Sequence, residues 1–171
     1  VAHQSKYPEI VDYLTDLVFK DPAQKVLWND TGLQIWLGCN KAAHPEFATN
    51  MGFDAFLLLY DHGLQDTQTR WIDKDEDIMK ISYTFKIIDV DKTEQSWKEI
   101  ALRLSKMVAF IEDCCEKERR LLISCDKGVS TSVTVLLAFL VLKRNIRYET
   151  ALEHFKKIRL EVAPSYSMLR G

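Results

Sequence analysis

The 171 residues suit a single domain, because a chain of this length can bury a full hydrophobic core without disulfide or metal staples. With 47% hydrophobic and 28% charged residues and only 6 Gly and 4 Pro, the composition excludes disordered and fibrous classes. The 23 Lys+Arg against 25 Asp+Glu leave a net charge of -2, so no nucleic-acid or membrane partner is expected.

The first helical periodicity is Ile10, Val11, Leu14, Leu17 and Val18, with Pro8 near its start and Pro22 as a stop. It predicts a packing helix, so residues 1–30 read as an N-terminal packing extension of one domain over 1–171. Three short apolar runs then predict strands: Val26-Leu27-Trp28, Gln34-Ile35-Trp36-Leu37 followed by Gly38, and Phe56 to Tyr60. From Asp61 to Lys80 the chain is polar and acid-rich, as a solvated connection would be. Its acids lack the glycine turn and terminal Glu of a calcium loop, so no metal is expected there.

Tyr83 to Val90 alternates and then turns wholly apolar, predicting a strand that enters a buried sheet. Ser96 can cap a long helix with the stripe Trp97, Ile100, Ala101, Leu104, Val108 and Ile111. The charged run Glu116 to Arg120 ends that helix, and Leu121-Leu122-Ile123 predicts a short buried strand. Val129 to Lys143 predicts a helix apolar on nearly every face, and a last helix carries Ala151, Leu152, Phe155 and Ile158. The order implies an α/β fold: a central, mainly parallel sheet of about five strands flanked by helices. The most apolar stretch, Val133 to Leu142, has half the length a membrane span requires.

Cysteines at 39, 114, 115 and 125 form no paired framework and no zinc-type spacing, which predicts a reducing compartment and no metal or other cofactor. The sequence VAHQSKYPEIV lacks the features of a secretory signal, although a chain that starts inside a longer protein would not show one. The expectation is a cytoplasmic protein.

Chemistry concentrates between Leu121 and Ser132. A buried strand, a tight turn with one glycine and a helix start aim backbone N–H groups and a helix N-terminus at one point, which makes an anion cradle of Asp126, Lys127, Gly128, Val129, Ser130, Thr131 and Ser132. Cys125 lies at its floor. A helix N-terminus favours a thiolate, so a cysteine there is a candidate nucleophile, although cysteines at strand ends are more often simply buried.

The stretch Ser124-Cys125-Asp126-Lys127-Gly128-Val129-Ser130-Thr131-Ser132 resembles the loop of dual-specificity phosphatases, His-Cys-x-x-Gly-x-Ser-Arg-Ser, in its cysteine, glycine and both serines. Trp36-Leu37-Gly38, Phe110-Ile111, Tyr148 to Leu152, Arg159 and Pro164-Ser165 are similar to further family segments, so the resemblance spans roughly 34–169. It implies the family's α/β fold, with Cys125 in the nucleophile position. A general acid is implied after the strand ending at Val90, at Asp91 with Asp89 the alternative, and the spacing to Cys125 is slightly longer than usual.

Two departures fall inside the loop. The family's arginine, a planar bidentate clamp for phosphoryl oxygens, is replaced by Thr131, and the histidine before the cysteine by Ser124. By analogy with arginine fingers the first implies a rate loss of about 10³ to 10⁵. Lys127 is a poor substitute because its ammonium sits on a flexible stem and its position points outward. The resemblance therefore implies a pseudophosphatase like the serine/threonine/tyrosine-interacting proteins, a module for a protein partner, phosphorylated or not, with its oligomeric state open. The alternatives are a low-activity phosphatase using Cys125 and a rhodanese-like sulfurtransferase; the six residues between Cys125 and Ser132 fit the phosphatase loop better.

Overall fold

Strands that read as unbroken apolar runs do so because both their faces are covered. The computed structural model describes residues 22–26, 32–60, 70–84, 94–128 and 130–158. In it, β1 (Ala23–Lys25), β2 (Ile35–Gly38), β3 (Ala55–Tyr60), β4 (Met79–Thr84) and β5 (Leu121–Cys125) form one sheet in the order β1-β2-β5-β3-β4. All pairs are parallel except β1 with β2, and β5 lies in the middle, with Ile123 opposite Leu37 on one side and Leu57 on the other. Every residue of β2, β3 and β5 is buried.

One sheet face packs on three helices, α2 (Glu94–Glu116), α3 (Thr131–Arg144) and α4 (Tyr148–Ile158), through Leu37, Leu57, Ile123, Ile111, Leu136 and Phe155. The other face carries Trp36, Phe56, Leu58 and Leu122 and is closed by Phe53, Ile72 and Ala48 of the short helix α1 (Pro45–Met51). Leu136, Leu137 and Leu140 have no exposed surface, as the expected buried helix requires. Among the described residues no helix is long and apolar enough to cross a membrane, and no cluster of side chains could hold a metal ion.

Several expectations shift. The first strand lies three residues earlier than Val26-Leu27-Trp28, because Ala23, Gln24 and Lys25 pair with Gly38, Leu37 and Trp36. As an edge strand it is covered only in part, so it carries Gln24 and Lys25 and has no apolar run to mark it. The polar connection ends sooner than expected: Met79 and Lys80 already belong to β4, an edge strand whose alternate residues Met79, Ile81 and Tyr83 pack on the core. The expected continuation through residues 85–90 lies outside the described residues, as do the helix over Ile10 to Val18 and Trp28.

Helix α2 starts at Glu94, before the expected cap Ser96. Its buried face holds Met107, Val108, Phe110, Ile111 and Cys114, whereas Ala101 is exposed. The α3 helix begins at Thr131 rather than Val129, since Ser130 takes the N-cap position. A short 3-10 turn at Asn40–Ala43 and helix α1 close the second face. They were not expected from periodicity because neither is long enough to display one.

Candidate functional site

In a parallel sheet, ligands collect beyond the carboxyl ends of the strands. Cys125 is the last residue of central β5, and α3 begins six residues later, so the intervening turn lies where a helix N-terminus meets the sheet end. Two glycines make that turn possible. Gly128 has φ +69°, and a Cβ there would lie 2.6 Å from the carbonyl carbon and oxygen of Gly38 and 2.9 Å from the Cys39 nitrogen. Gly38 is as tightly enclosed: a Cβ there would lie 2.7 Å from Ala42 Cβ and 2.9 Å from Leu122 Cδ1. The Asn40 N–H donates to Asp126 O at 3.3 Å and ties the turn to the chain leaving β2.

Gly128→Ala therefore places a methyl group against backbone that cannot step aside, at a φ that side chains resist. Urea denaturation should show a loss of more than about 1 kcal/mol. A variant with unchanged stability would mean that the two glycines are not in contact in solution.

Cys125 is 5% exposed, and its sulfur is held from two sides. The Gly128 N–H donates to Sγ at 3.2 Å, and Ser132 Oγ lies 3.1 Å from it. Ser132 is wholly buried in the first turn of α3. Thr131, the residue before it, is half-buried at the helix start, Lys127 is exposed, and Asp126 and Ser130 are half-buried. Val129, Asp89 and Asp91 lie outside the described residues.

Ser124 is more engaged than its sequence context suggests. Its hydroxyl donates to the Cys39 carbonyl at 2.9 Å, leaving its oxygen to accept from the Tyr60 hydroxyl at 3.3 Å. This chain joins the ends of β2, β5 and β3 directly beside Cys125. By sequence Tyr60 is the end of an apolar strand; the signal that it does more is a polar atom ending a fully buried run, the position Cys125 also takes.

Burial pushes the Tyr60 hydroxyl from 10.0 up to about 12, against the opposing hydrogen bond with Ser124, so it stays a neutral donor. Burial likewise raises the Cys114 thiol from 9.0 to about 12 and that of Cys115 to about 11. All three groups keep their protons longer in the fold than in the unfolded chain. Their contribution to stability is thus constant below about pH 9 and is lost progressively as pH rises from there to about 12. Urea midpoints measured from pH 8 to 11 should fall above pH 9, and Tyr60→Phe should flatten the part above pH 10. A midpoint difference between the two proteins that stays constant with pH would contradict the assignment to Tyr60.

Chemically, the arrangement holds the Cys125 sulfur under a backbone donor, close to the start of a helix, a setting that favours negative charge. The side chain that opens α3 is a threonine, which carries no charge and no fork of donors.

The family model for the dual specificity phosphatase catalytic domain matches residues 35–170. Human dual specificity protein phosphatase 4 is 29% identical over 87 residues, which cover 51% of this chain and 22% of that protein. The chain thus spans about a fifth of the length of that relative. Among solved structures, human DUSP28 superposes with a TM-score of 0.60 at 17% identity, covering 88% of this chain and 89% of the other. The human tyrosine phosphatase-like serine/threonine/tyrosine-interacting protein gives 0.57 at 13% identity, covering 86% and 91%. At these identities the structures speak to the fold alone, and its five-stranded, mostly parallel sheet with flanking helices is the one seen here.

Proposed function

The chain belongs to the dual-specificity phosphatase family, and from that premise we propose that it is a catalytically silent member, a protein-binding module whose loop keeps only weak affinity for phosphate. The observation that carries this reading is Thr131 at the start of α3, beside a Cys125 sulfur that still meets the Gly128 N–H and Ser132 Oγ. A phosphoryl group entering there meets a threonine at the position that opens α3, where the family's loop carries a guanidinium. A threonine hydroxyl offers one neutral hydrogen bond, so the charge that spreads over the equatorial oxygens in the transition state has no partner. A solved neighbour named as a phosphatase-like interacting protein has the same fold, which is consistent with a binding role.

One feature favours a second reading, a slow cysteine-dependent phosphatase. The sulfur of Cys125 still receives the Gly128 N–H and faces the Ser132 hydroxyl, an arrangement that suits a nucleophile and later leaving group. An assay with a chromogenic aryl phosphate separates the two. Turnover at the no-protein background supports the silent reading, and turnover that vanishes in Cys125→Ser supports the slow enzyme. Titration with inorganic phosphate, followed at the Gly128 amide by NMR, should show binding at about millimolar Kd. A Gly128 resonance unmoved at tens of millimolar would remove phosphate from the proposal.

A further inference from the structure

The hydrogen bonds that join Tyr60, Ser124 and Cys39 have a direction. A carbonyl oxygen only accepts, so the one hydrogen of the Ser124 hydroxyl is committed to Cys39 O at 2.9 Å, and the Tyr60 hydroxyl, 3.3 Å away, supplies the other. Tyr60 is 2% exposed and Ser124 has no exposed surface, so a bond lost between them is not replaced by one to bulk water. An ionised phenol there would face Cys125, Asp126 and Cys39, which sets the Tyr60 hydroxyl among the residues of the loop.

Ser124 grips a peptide that the loop depends on. The carbonyl of the Cys39–Asn40 peptide accepts from Ser124, and its N–H, pointing the opposite way, donates to Asp126 O at 3.3 Å. Turning that rigid unit would break its tie to the loop. The preceding peptide, Gly38–Cys39, is anchored by its N–H to Pro22 O at 2.9 Å and is the floor on which Gly128 rests, since a Cβ on Gly128 would lie 2.6 Å from its carbonyl and 2.9 Å from its nitrogen. Gly128 in turn gives its N–H to Cys125 Sγ.

We propose that Tyr60 is a positioning residue for Cys125: by donating to Ser124 it fixes the Cys39 peptides against which the loop is set, and so holds the Gly128 N–H on the sulfur. Without the phenol, the Ser124 oxygen is held by one bond where it had two, and its bond to Cys39 loses the polarisation that a chain of hydroxyls provides. Serine alone spans β5 to β2. The tyrosine hydroxyl extends the brace to β3, filling the room that an imidazole on residue 124 would take, so Tyr60 and Ser124 stand in for the family's histidine only as a pair.

The test uses the full chain and needs no turnover. Amide hydrogen exchange followed by NMR should be at least about tenfold faster at Gly128 in Tyr60→Phe and in Ser124→Ala, the effect of one buried hydrogen bond lost, while the core amides of Ile111 and Leu136 keep their rates. Because Tyr60 acts through Ser124, adding Tyr60→Phe to Ser124→Ala should change Gly128 exchange by less than about twofold. A Gly128 rate unmoved by Tyr60→Phe would overturn the proposal. Rates that rise equally at Gly128, Ile111 and Leu136 would do so in favour of a general loss of stability, and two effects that multiply in the double variant would overturn the route through Ser124.

A second arm rests on the reading of this loop as a phosphate seat. In Thr131→Arg, Tyr60→Phe should slow hydrolysis of an aryl phosphate by about tenfold, because the sulfur is no longer aligned. In Thr131→Arg with Ser124→His the same substitution should speed it, since the room then serves the imidazole. The same sign in both backgrounds would overturn the pairing of Tyr60 with Ser124. A Thr131→Arg protein without turnover would count against the account of silence alone, and the exchange rates would still decide the role of Tyr60.

Discussion

Thr131→Arg is expected to raise hydrolysis of an aryl phosphate from background by about 10³- to 10⁵-fold, the range an arginine supplies to phosphoryl transfer when it completes a site. The gain depends on the rest of the loop being in place. Gly128 already takes its φ of +69°, and Cys125 Sγ is already hydrogen-bonded by the Gly128 N–H. An arginine in the first turn of α3 can lay its stem along the turn and bring its fork to the oxygens that the backbone donors bind.

Ser124→His, which would complete the family's motif, is expected to cancel part of that gain. Ser124 has no exposed surface, and its hydroxyl sits 2.9 Å from Cys39 O and 3.3 Å from the Tyr60 hydroxyl. An imidazole on residue 124 has to occupy the room Tyr60 now fills, an overpacking that costs about 1–3 kcal/mol. Tyr60→Phe, which removes the hydroxyl beside residue 124 and keeps the buried ring, should relieve part of it, so the triple variant should outperform the pair Thr131→Arg with Ser124→His. A phosphopeptide, whose departing oxygen needs a proton, then tests the general acid implied near Asp91. A folded Thr131→Arg protein that binds phosphate and hydrolyses neither substrate would show that silence does not rest on Thr131.

The largest effect on stability should come from Phe139→Ala. Phe139 is wholly buried in α3, within the core cluster that α2, α3 and the sheet share. Its ring also lies 4.9 Å beneath the Arg144 guanidinium, which in turn pairs with Glu112 of α2. Truncation leaves a cavity and removes the ring on which that cation rests, a loss of about 3–5 kcal/mol. This is a large part of the roughly 5–15 kcal/mol a domain of this kind has. Urea denaturation measures it directly; a loss under about 1 kcal/mol would mean that the site collapses around the missing ring.

How well each element could be read from sequence followed its coverage. Strands β2, β3 and β5 are buried on both faces and so advertise themselves as apolar runs, and α3 does the same among helices. The edges did not. β1 carries Gln24 and Lys25, and β4 begins amid acids whose charge belongs to the preceding turn, where Lys80 pairs with Asp73. In α2, Ala101 fits the stripe by spacing yet is exposed, because tertiary packing decides which part of a helix face meets the sheet.

At the site, the loop around Cys125 was legible because its residues are consecutive. The Tyr60–Ser124–Cys39 chain was not, since it joins positions from three separate strand ends that only the sheet brings together. The contact of Gly128 with Gly38 was hidden for the same reason.

The strand order also governs how the protein can be made. On the ribosome β2 and β3 emerge early, but they are not neighbours: β5 inserts between them, pairing Leu121 with both Ile35 and Ala55. Until the segment around residue 125 leaves the exit tunnel, two wholly apolar strands present unsatisfied edges, a state prone to mispairing and suited to chaperone capture. Insertion of β5 joins the two halves of the sheet and sets Cys125 at the end of its central strand. Slow translation before residue 121 should accordingly lower the yield of folded protein, whereas a pause placed after α3 should not.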